Sequence, residues 1–175
     1  CGAYARLLGS ATLSLKPVGM RGWPPVAGWG FACWLRVESW GGKGLRILRL
    51  AAIKGEGDKG RIGGGAHISE IWSNRDGQGF VSLQTGASGW VQFSSFSIQP
   101  GEWYHIAVCH TQNALHANVA ALYVNGSLRE QREIRSPASL KDAVLSQVQG
   151  IVGQATELQC TFGGAEADSS PLGAA

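Results

Sequence analysis

Two alternating segments, one early in the chain and one past its middle, constrain the fold most. Residues 30–38 (Gly-Phe-Ala-Cys-Trp-Leu-Arg-Val-Glu) and residues 101–108 (Gly-Glu-Trp-Tyr-His-Ile-Ala-Val) are both rich in aromatic and β-branched side chains. Such segments suit strands that pack one face of a pleated sheet against a core. In a third segment, Asn125-Gly126 separates two similar runs, which is a strong signal of a β-hairpin. Together they predict an all-β fold, an antiparallel sandwich.

The remaining chain fits one sandwich domain. Of the 175 residues, 44% are hydrophobic, only 15% are charged, and 26 are glycine, a composition typical of short strands joined by turns. We predict a sandwich over residues 1–162 and a loop or linker over 163–175. After Ser139, a capping motif followed by apolar residues four apart predicts at most one short helix. No apolar stretch reaches the roughly 20 residues that a membrane-spanning helix needs.

Further strands are predicted at residues 7–15, 45–53, 66–72, 80–85 and 90–96. The segment 45–53 is apolar on both parities, which indicates either a strand covered on both faces or a bulge. A two-residue turn at Asn125-Gly126 would place Val124 opposite Ser127 and Tyr123 opposite Leu128. The periodicity leaves open which face of this hairpin is buried. It also does not decide whether Trp34 faces the core, because the alternate positions of the same strand, Phe31, Cys33, Leu35 and Val37, are equally apolar.

The charges and cysteines exclude some classes of protein. The formal net charge of +3 is dispersed without a basic cluster, so we expect no nucleic-acid partner. Cys1, Cys33, Cys109 and Cys160 form no C-x-x-C motif. Cys33 and Cys109 lie in apolar strand patterns, so reduced, buried thiols are favoured, while a bridge between them joining the two sheets stays open.

A search for catalytic groups is largely negative. Jelly-roll glycosidases need two carboxylates across the scissile bond, commonly supplied by Glu-x-Asp-x-x-Glu on one strand, and that motif is absent. Glu56 and Asp58 lie in a glycine-rich turn that could not hold them in register. His105 and His110 are five residues apart on a predicted strand, so they face opposite sides and cannot share a metal. We therefore predict no catalytic residue, no metal site and no cofactor.

The seven tryptophans suggest the sharpest binding hypothesis. Sugar-binding modules stack rings on exposed indoles and hydrogen-bond hydroxyls through nearby polar groups, so Trp72, Asn74, Asp76 and Trp90 form a candidate rim. The loop at Asn74 could also coordinate calcium, but the cation Arg75 within it argues against this. The competing interpretation is structural. In it, Trp34 and Trp103 belong to the core, and Trp23, Trp29 and Trp40 cover the ends of the sheets.

The motifs together resemble a known family. Trp23-Pro24-Pro25 leading into the segment 30–38, then Trp103-Tyr104-His105-Ile106 and Leu122-Tyr123-Val124-Asn125-Gly126, resemble the concanavalin A-like domain of BEACH-domain proteins, the neurobeachin group. The resemblance covers residues 8–153. It implies a jelly-roll of two antiparallel sheets. Family members usually close with a strand resembling Gly-Pro-apolar-apolar-Leu-Phe, which the chain lacks, so either the chain ends early or that strand has diverged.

The resemblance also implies a setting. It places the domain in a large cytoplasmic scaffold, peripheral to intracellular membranes, that acts in vesicle trafficking or membrane organisation and also carries BEACH, PH-like and WD40 domains. There the domain would be non-catalytic, without membrane insertion, and would bind a protein partner or neighbouring domains of its own chain. A carbohydrate-binding, lectin-like domain is the alternative, and a diverged glycoside hydrolase ranks third.

Overall fold

The fold is all-β in the part of the chain that the structure describes. The computed structural model describes residues 5–7, 11–16, 18–20, 28–40, 44–54, 68–73, 77–85, 89–111, 118–134 and 156–164. In these ranges there is no helix, and the strands are β1 (Thr12–Ser14), β2 (Val18–Met20), β3 (Trp29–Arg36), β4 (Leu45–Lys54), β5 (Ile68–Ser73), β6 (Phe80–Thr85), β7 (Gly89–Ser97), β8 (Trp103–Thr111), β9 (Asn118–Val124), β10 (Ser127–Ile134) and β11 (Thr156–Gly163). The short helix predicted after Ser139 lies outside the described residues.

The strands form two antiparallel sheets. The seven-stranded sheet has the order β1-β11-β4-β5-β6-β7, with β2 also paired to β11, and the four-stranded sheet has the order β10-β9-β8-β3. Side chains alternate along each strand, so each sheet turns one face toward the other. The side chains between the sheets include Leu83 and Phe93 from the larger sheet and Ile106 and Leu122 from the smaller one, all almost fully buried. The predicted sandwich of two antiparallel sheets is confirmed.

Strand β11 occupies an interior position of the larger sheet, although it lacks the Gly-Pro-apolar-apolar-Leu-Phe pattern. It pairs with β4 along seven residue positions and also with both short N-terminal strands. Its pattern is that of a half-buried strand, because Leu158, Cys160 and Phe162 share one face and contribute to the core. Gln159 and Thr161 occupy the other face. The strand therefore lies inside the larger sheet and is not an open edge.

Two local irregularities agree with the sequence. The pairing of β4 with β5 shifts between Arg46 and Leu48, so the bulge alternative explains why β4 is apolar on both parities. Asn125 and Gly126 have φ of 51° and 80°, as a type I′ turn requires. The turn pairs β9 with β10 in the predicted register, with Val124 opposite Ser127 and Tyr123 opposite Leu128.

Three expectations about apolar side chains were wrong. Trp34 and Trp103 are 66% and 47% exposed, so they do not anchor the core. On β3, the side chains that face the core are those of Phe31, Cys33 and Leu35. Cys109 was expected in the interior, but the alternation of β8 turns it to the outer face. The outward residues of both strands had seemed as apolar as the inward ones.

The cysteines also cannot form the bridge that the sequence left open. Cys33 and Cys109 lie on adjacent strands of the same sheet, Cys33 opposite Ile106 and Cys109 opposite Gly30. The two sulphurs are therefore on opposite faces of that sheet. Cys33, Cys109 and Cys160 are all free, and burial raises the pKa of the Cys33 thiol to about 11. A thiol with such a pKa stays protonated and is a weak nucleophile at neutral pH.

Candidate functional site

The outer face of the seven-stranded sheet is polar. One cross-strand row runs through Thr161, Arg49, Glu70, Gln84 and Trp90, each opposite the next on the neighbouring strand. The row arises because strand positions of one parity are apolar and face the core, while those of the other parity are polar or aromatic. We call this outer surface the polar face. It collects side chains from four consecutive strands, β4 to β7, and from the distant strand β11.

Glu70 organises the centre of the polar face. Its Oε1 lies 3.5 Å from Nη1 of Arg46 and 3.4 Å from Nε of Arg49. Its Oε2 accepts a hydrogen bond of 3.0 Å from the indole N–H of Trp72. The guanidinium carbon of Arg46 also lies 5.7 Å from the centre of the Trp72 ring, within the range of a cation–π contact. One carboxylate therefore holds three side chains in place.

The cluster is partly withdrawn from water and carries excess positive charge. The side chains of Arg46, Arg49 and Glu70 are only 19%, 30% and 16% exposed, and two guanidinium groups face one carboxylate. The Nε of Arg46 also donates a hydrogen bond of 3.2 Å to the carbonyl of Gly163, which fixes that guanidinium against β11. Partial burial strengthens these interactions relative to an exposed ion pair. This part of the polar face favours ligands with acceptor oxygens.

The predicted rim residues divide between buried and exposed positions. Trp72 is only 5% exposed and directs its N–H to Glu70, so it offers no open surface on which a sugar ring could stack. Trp90 is 47% exposed. Their register partners on β6 are Ser82 and Gln84, so both lie on the polar face, about 12 Å apart. Asn74 and Asp76 lie outside the described residues, and binding by this set stays a prediction.

The outer face of the four-stranded sheet is apolar and aromatic. Its most exposed large side chains are Trp34, Leu128 and Trp103, and Trp34 packs on His105 with ring centres 5.4 Å apart. A row of apolar residues crosses the whole sheet, consisting of Ala32, Ala107, Tyr123 and Leu128. We call this surface the aromatic face. Outward sheet faces are ordinarily polar, so an exposed apolar face of this kind is typical of a binding surface.

The aromatic face was missed at the sequence level for a definable reason. The outward parity of β3 and β8 consists of small or aromatic residues that also occur in cores, such as Ala32, Trp34 and Ala107. Hydrophobicity thus gave no difference between the two faces. A usable signal was size, because the inward residues are large apart from Cys33, whereas the outward ones mix glycine and alanine with tryptophan.

The two histidines of β8 are separated by the sheet. His105 and His110 lie on opposite faces of β8, the first half-buried on the aromatic face and the second buried in the core beside Trp29. Within the described ranges, no three His, Cys, Asp or Glu side chains come close enough to hold an ion. No helix in that part of the chain is long and apolar enough to span a bilayer.

The fold defines a class of protein: a β-sandwich of two antiparallel sheets with one polar and one aromatic outer face. The chain belongs to the concanavalin A-like lectin/glucanases superfamily, whose family model matches residues 11–166. No solved structure matches the chain.

Similar proteins confirm the resemblance to BEACH-domain proteins. The chain is 28% identical to BEACH domain-containing protein A2 of Arabidopsis thaliana over 141 residues, 67% of the chain and 4% of the relative. It is 29% identical to Protein SPIRRIG of the same plant over 144 residues, 64% of the chain and 4% of the relative. BEACH domain-containing protein lvsE of Dictyostelium discoideum is 39% identical over 46 residues, 26% of the chain and 2% of the relative. The match thus spans about 4% of the length of the first two relatives.

Proposed function

We propose that the domain is a non-catalytic interaction module of a large BEACH-type protein and that it binds its partner through the aromatic face. The family and the small share of each relative that the chain covers support a module within a much longer polypeptide. The partner is then a second protein or a neighbouring domain of the same chain. From the resemblance, we assign the whole protein to the cytoplasm, peripheral to intracellular membranes, with a scaffold role in vesicle trafficking or membrane organisation.

The observation that carries this proposal is the exposure of Trp34 and Leu128 on one sheet face. They are 66% and 50% exposed, and they lie on the two outermost strands of the four-stranded sheet, about 16 Å apart. Between them lie Ala107 and Tyr123, which make a nearly continuous apolar surface. Tryptophan and tyrosine in such a setting are the residue types that dominate protein–protein binding energy.

Site-specific photo-crosslinking in the full-length protein tests this assignment. A photoreactive residue is placed at Trp34 in one variant and at Leu128 in another, and the cross-linked peptides are identified by mass spectrometry. The matched control is the same residue at Trp90, which is 47% exposed on the opposite sheet. We expect positions 34 and 128 to cross-link to one common surface and position 90 to cross-link elsewhere or not at all. Cross-linking from 34 and 128 no greater than from 90 would contradict the proposal.

A second candidate function is carbohydrate binding on the polar face. The observation that favours it is Trp90, an exposed indole beside Gln84 and Gln92 on the same face. A glycan array, with and without calcium, tests it with Trp90→Ala and with Trp34→Ala as the control. Binding lost only in Trp90→Ala would support a lectin. A diverged glycoside hydrolase ranks last, because both carboxylate oxygens of Glu70 at the centre of this face are already engaged.

A further inference from the structure

Strand β3 forms an edge of the four-stranded sheet. Within the described part of the chain it pairs with β8 on one side and with no strand on the other. Natural sheets protect an edge of this length with lysine, proline or a bulge. Strand β3 contains no proline, its charged side chain is that of Arg36 at the end of the strand, and the eight-residue pairing with β8 is unbroken. Among the described residues, this edge is therefore long and regular and carries no lysine, proline or bulge.

The hydrogen bonds of the neighbouring strand show which main-chain groups of β3 point away from β8. The carbonyl of His105 accepts a bond of 2.8 Å from the N–H of Asn125, and the N–H of His105 donates one of 3.0 Å to Oδ1 of the same residue. The main chain of His105 thus points toward β9. Along an antiparallel strand, the N–H and C=O groups of successive residues point to opposite sides. The main chain of Ile106 therefore points toward β3, and the main chain of its partner Cys33 points toward β8. The residues of β3 that point to the free edge are then Gly30, Ala32, Trp34 and Arg36.

Side-chain burial agrees with an incomplete edge. Gly30, Ala32, Trp34 and Arg36 are all exposed. Phe31, Cys33 and Leu35 face the core, yet they are only partly buried, unlike their fully buried partners Ile106 and Val108 on β8. An additional strand beside β3 would satisfy the free main-chain groups and cover the remaining surface of these three side chains.

The sequence of β3 is complementary to itself when two copies run antiparallel. If Ala32 lies opposite Trp34 of a second copy, Gly30 lies opposite Arg36, so on the outer face each large side chain meets a small one. The two-fold axis makes every such pair occur twice, as an isologous interface requires. About eight main-chain hydrogen bonds form across the axis from the four free residues of each copy. No like charges oppose each other in this register.

We propose that β3 pairs antiparallel with β3 of a second copy of this chain, joining the two four-stranded sheets into one continuous sheet. The interface uses the edge of the sheet, whereas the proposed partner surface is its aromatic face. A dimer through β3 brings two aromatic faces to the same side of one sheet. A bivalent surface binds a repeated or dimeric partner with greater avidity than a single face.

Sedimentation velocity of the 175-residue chain up to about 0.1 mM tests for the dimer. We expect a concentration-dependent dimer that Ala32→Pro weakens at least tenfold. Proline at 32 removes an N–H that points to the free edge and leaves the hydrogen bonds to β8 intact, and proline is tolerated at such edge positions. The matched control is Leu128→Ala on the opposite edge of the same sheet, which should leave dimerisation unchanged. Thermal melting verifies that each variant is folded.

A pair of charge variants tests the register and does not depend on proline. In the proposed register, Gly30→Glu places a carboxylate opposite Arg36 of the second copy, and Gly30→Lys places an ammonium there. Each contact occurs twice, so we expect Glu to tighten the dimer and Lys to weaken it, each about fivefold. A chain that stays monomeric throughout, or a dimer that neither Ala32→Pro nor the Gly30 variants affect, would overturn the proposal. Cross-linking from Trp34 in the full-length protein would then still support the interaction module.

Discussion

At the scale of single residues, the arrangement of the polar face depends on Glu70. It accepts a hydrogen bond from Trp72 and pairs with Arg46 and Arg49, all from positions shielded from water. The sequence predicts an exposed ring at Trp72 and does not indicate its neighbours on β4. The alternation of β5 places Glu70 and Trp72 on one face, but it does not say what covers that face. Only the pairing of β4 with β5 brings the two arginines beside them.

We expect Glu70→Gln to lower the free energy of unfolding by about 1–3 kcal/mol, because it leaves two partly buried guanidinium groups without a counter-charge. Urea denaturation measures the change. Glu38→Gln is the matched control, since Glu38 pairs with Arg36 where both side chains are largely exposed, 57% and 38%. That variant should change stability by less than about 0.5 kcal/mol. Equal effects of the two substitutions would mean that burial does not strengthen the Glu70 cluster.

At the scale of elements, β10 and β7 close one side of the sandwich through polar contacts. The pairing of β10 with β9 shifts between Leu128 and Glu130, so Glu130 leaves the outer face and reaches the other sheet. There its Oε2 accepts a hydrogen bond of 2.7 Å from the backbone N–H of Ser95, and Oε1 pairs with Arg132. Arg132 in turn donates to the hydroxyl of Ser94 at 3.1 Å. The bulge converts an edge strand into a link between sheets.

This contact predicts a dependence of stability on pH. Burial opposes ionisation of Glu130, but the N–H of Ser95 and the guanidinium of Arg132 outweigh it, so the pKa lies below its usual value. A lowered native pKa stabilises the fold above the unfolded pKa, and this contribution disappears as the pH falls through the native pKa. The free energy of unfolding of the wild type should therefore fall more steeply below about pH 4.5 than that of Glu130→Gln. Parallel pH profiles from urea denaturation would contradict this prediction.

Element prediction succeeded where the signal was local. Strand β6 has the predicted bounds, because Phe80–Thr85 lies between turn-forming residues. The hairpin register follows from Asn125 and Gly126, which take the positive φ values of a type I′ turn. Strand β11 was not predicted, although Leu158, Cys160 and Phe162 alternate, because its pairing partners β1 and β4 lie far away in the sequence. Alternation within a short window indicates a strand, but it cannot indicate which distant strands pair with it.

At the scale of the whole molecule, the stability comes from one core between the two sheets. Phe93 from β7 is fully buried and lies in the same cluster as Ile106 and Leu122 from the smaller sheet. If a large aromatic side chain in that position is removed, the neighbouring side chains cannot fill the cavity that it leaves. The tryptophans that seemed the best core candidates instead lie on the surface, where they are available for binding.

We therefore expect Phe93→Ala to lower the free energy of unfolding by about 3–5 kcal/mol, because of the buried area lost and the cavity left. Trp34→Ala should cost about 1 kcal/mol or less, since it removes an exposed ring and its contact with His105. Thermal or urea denaturation of both variants checks the comparison. If Trp34→Ala lowered the free energy of unfolding as much as Phe93→Ala, the aromatic face would have to be covered in the folded chain.

The sequence by itself determined the all-β class, most strands, the type I′ turn and the resemblance to BEACH-domain proteins, because these follow from local periodicity and short motifs. The tertiary structure decided which parity of β3 faces the core, how β11 enters the larger sheet, and that Cys33 and Cys109 share one sheet. The physical reason is that alternation defines two faces of a strand but does not label them. When both faces are apolar, as around Trp34, only packing against the other sheet selects the buried one.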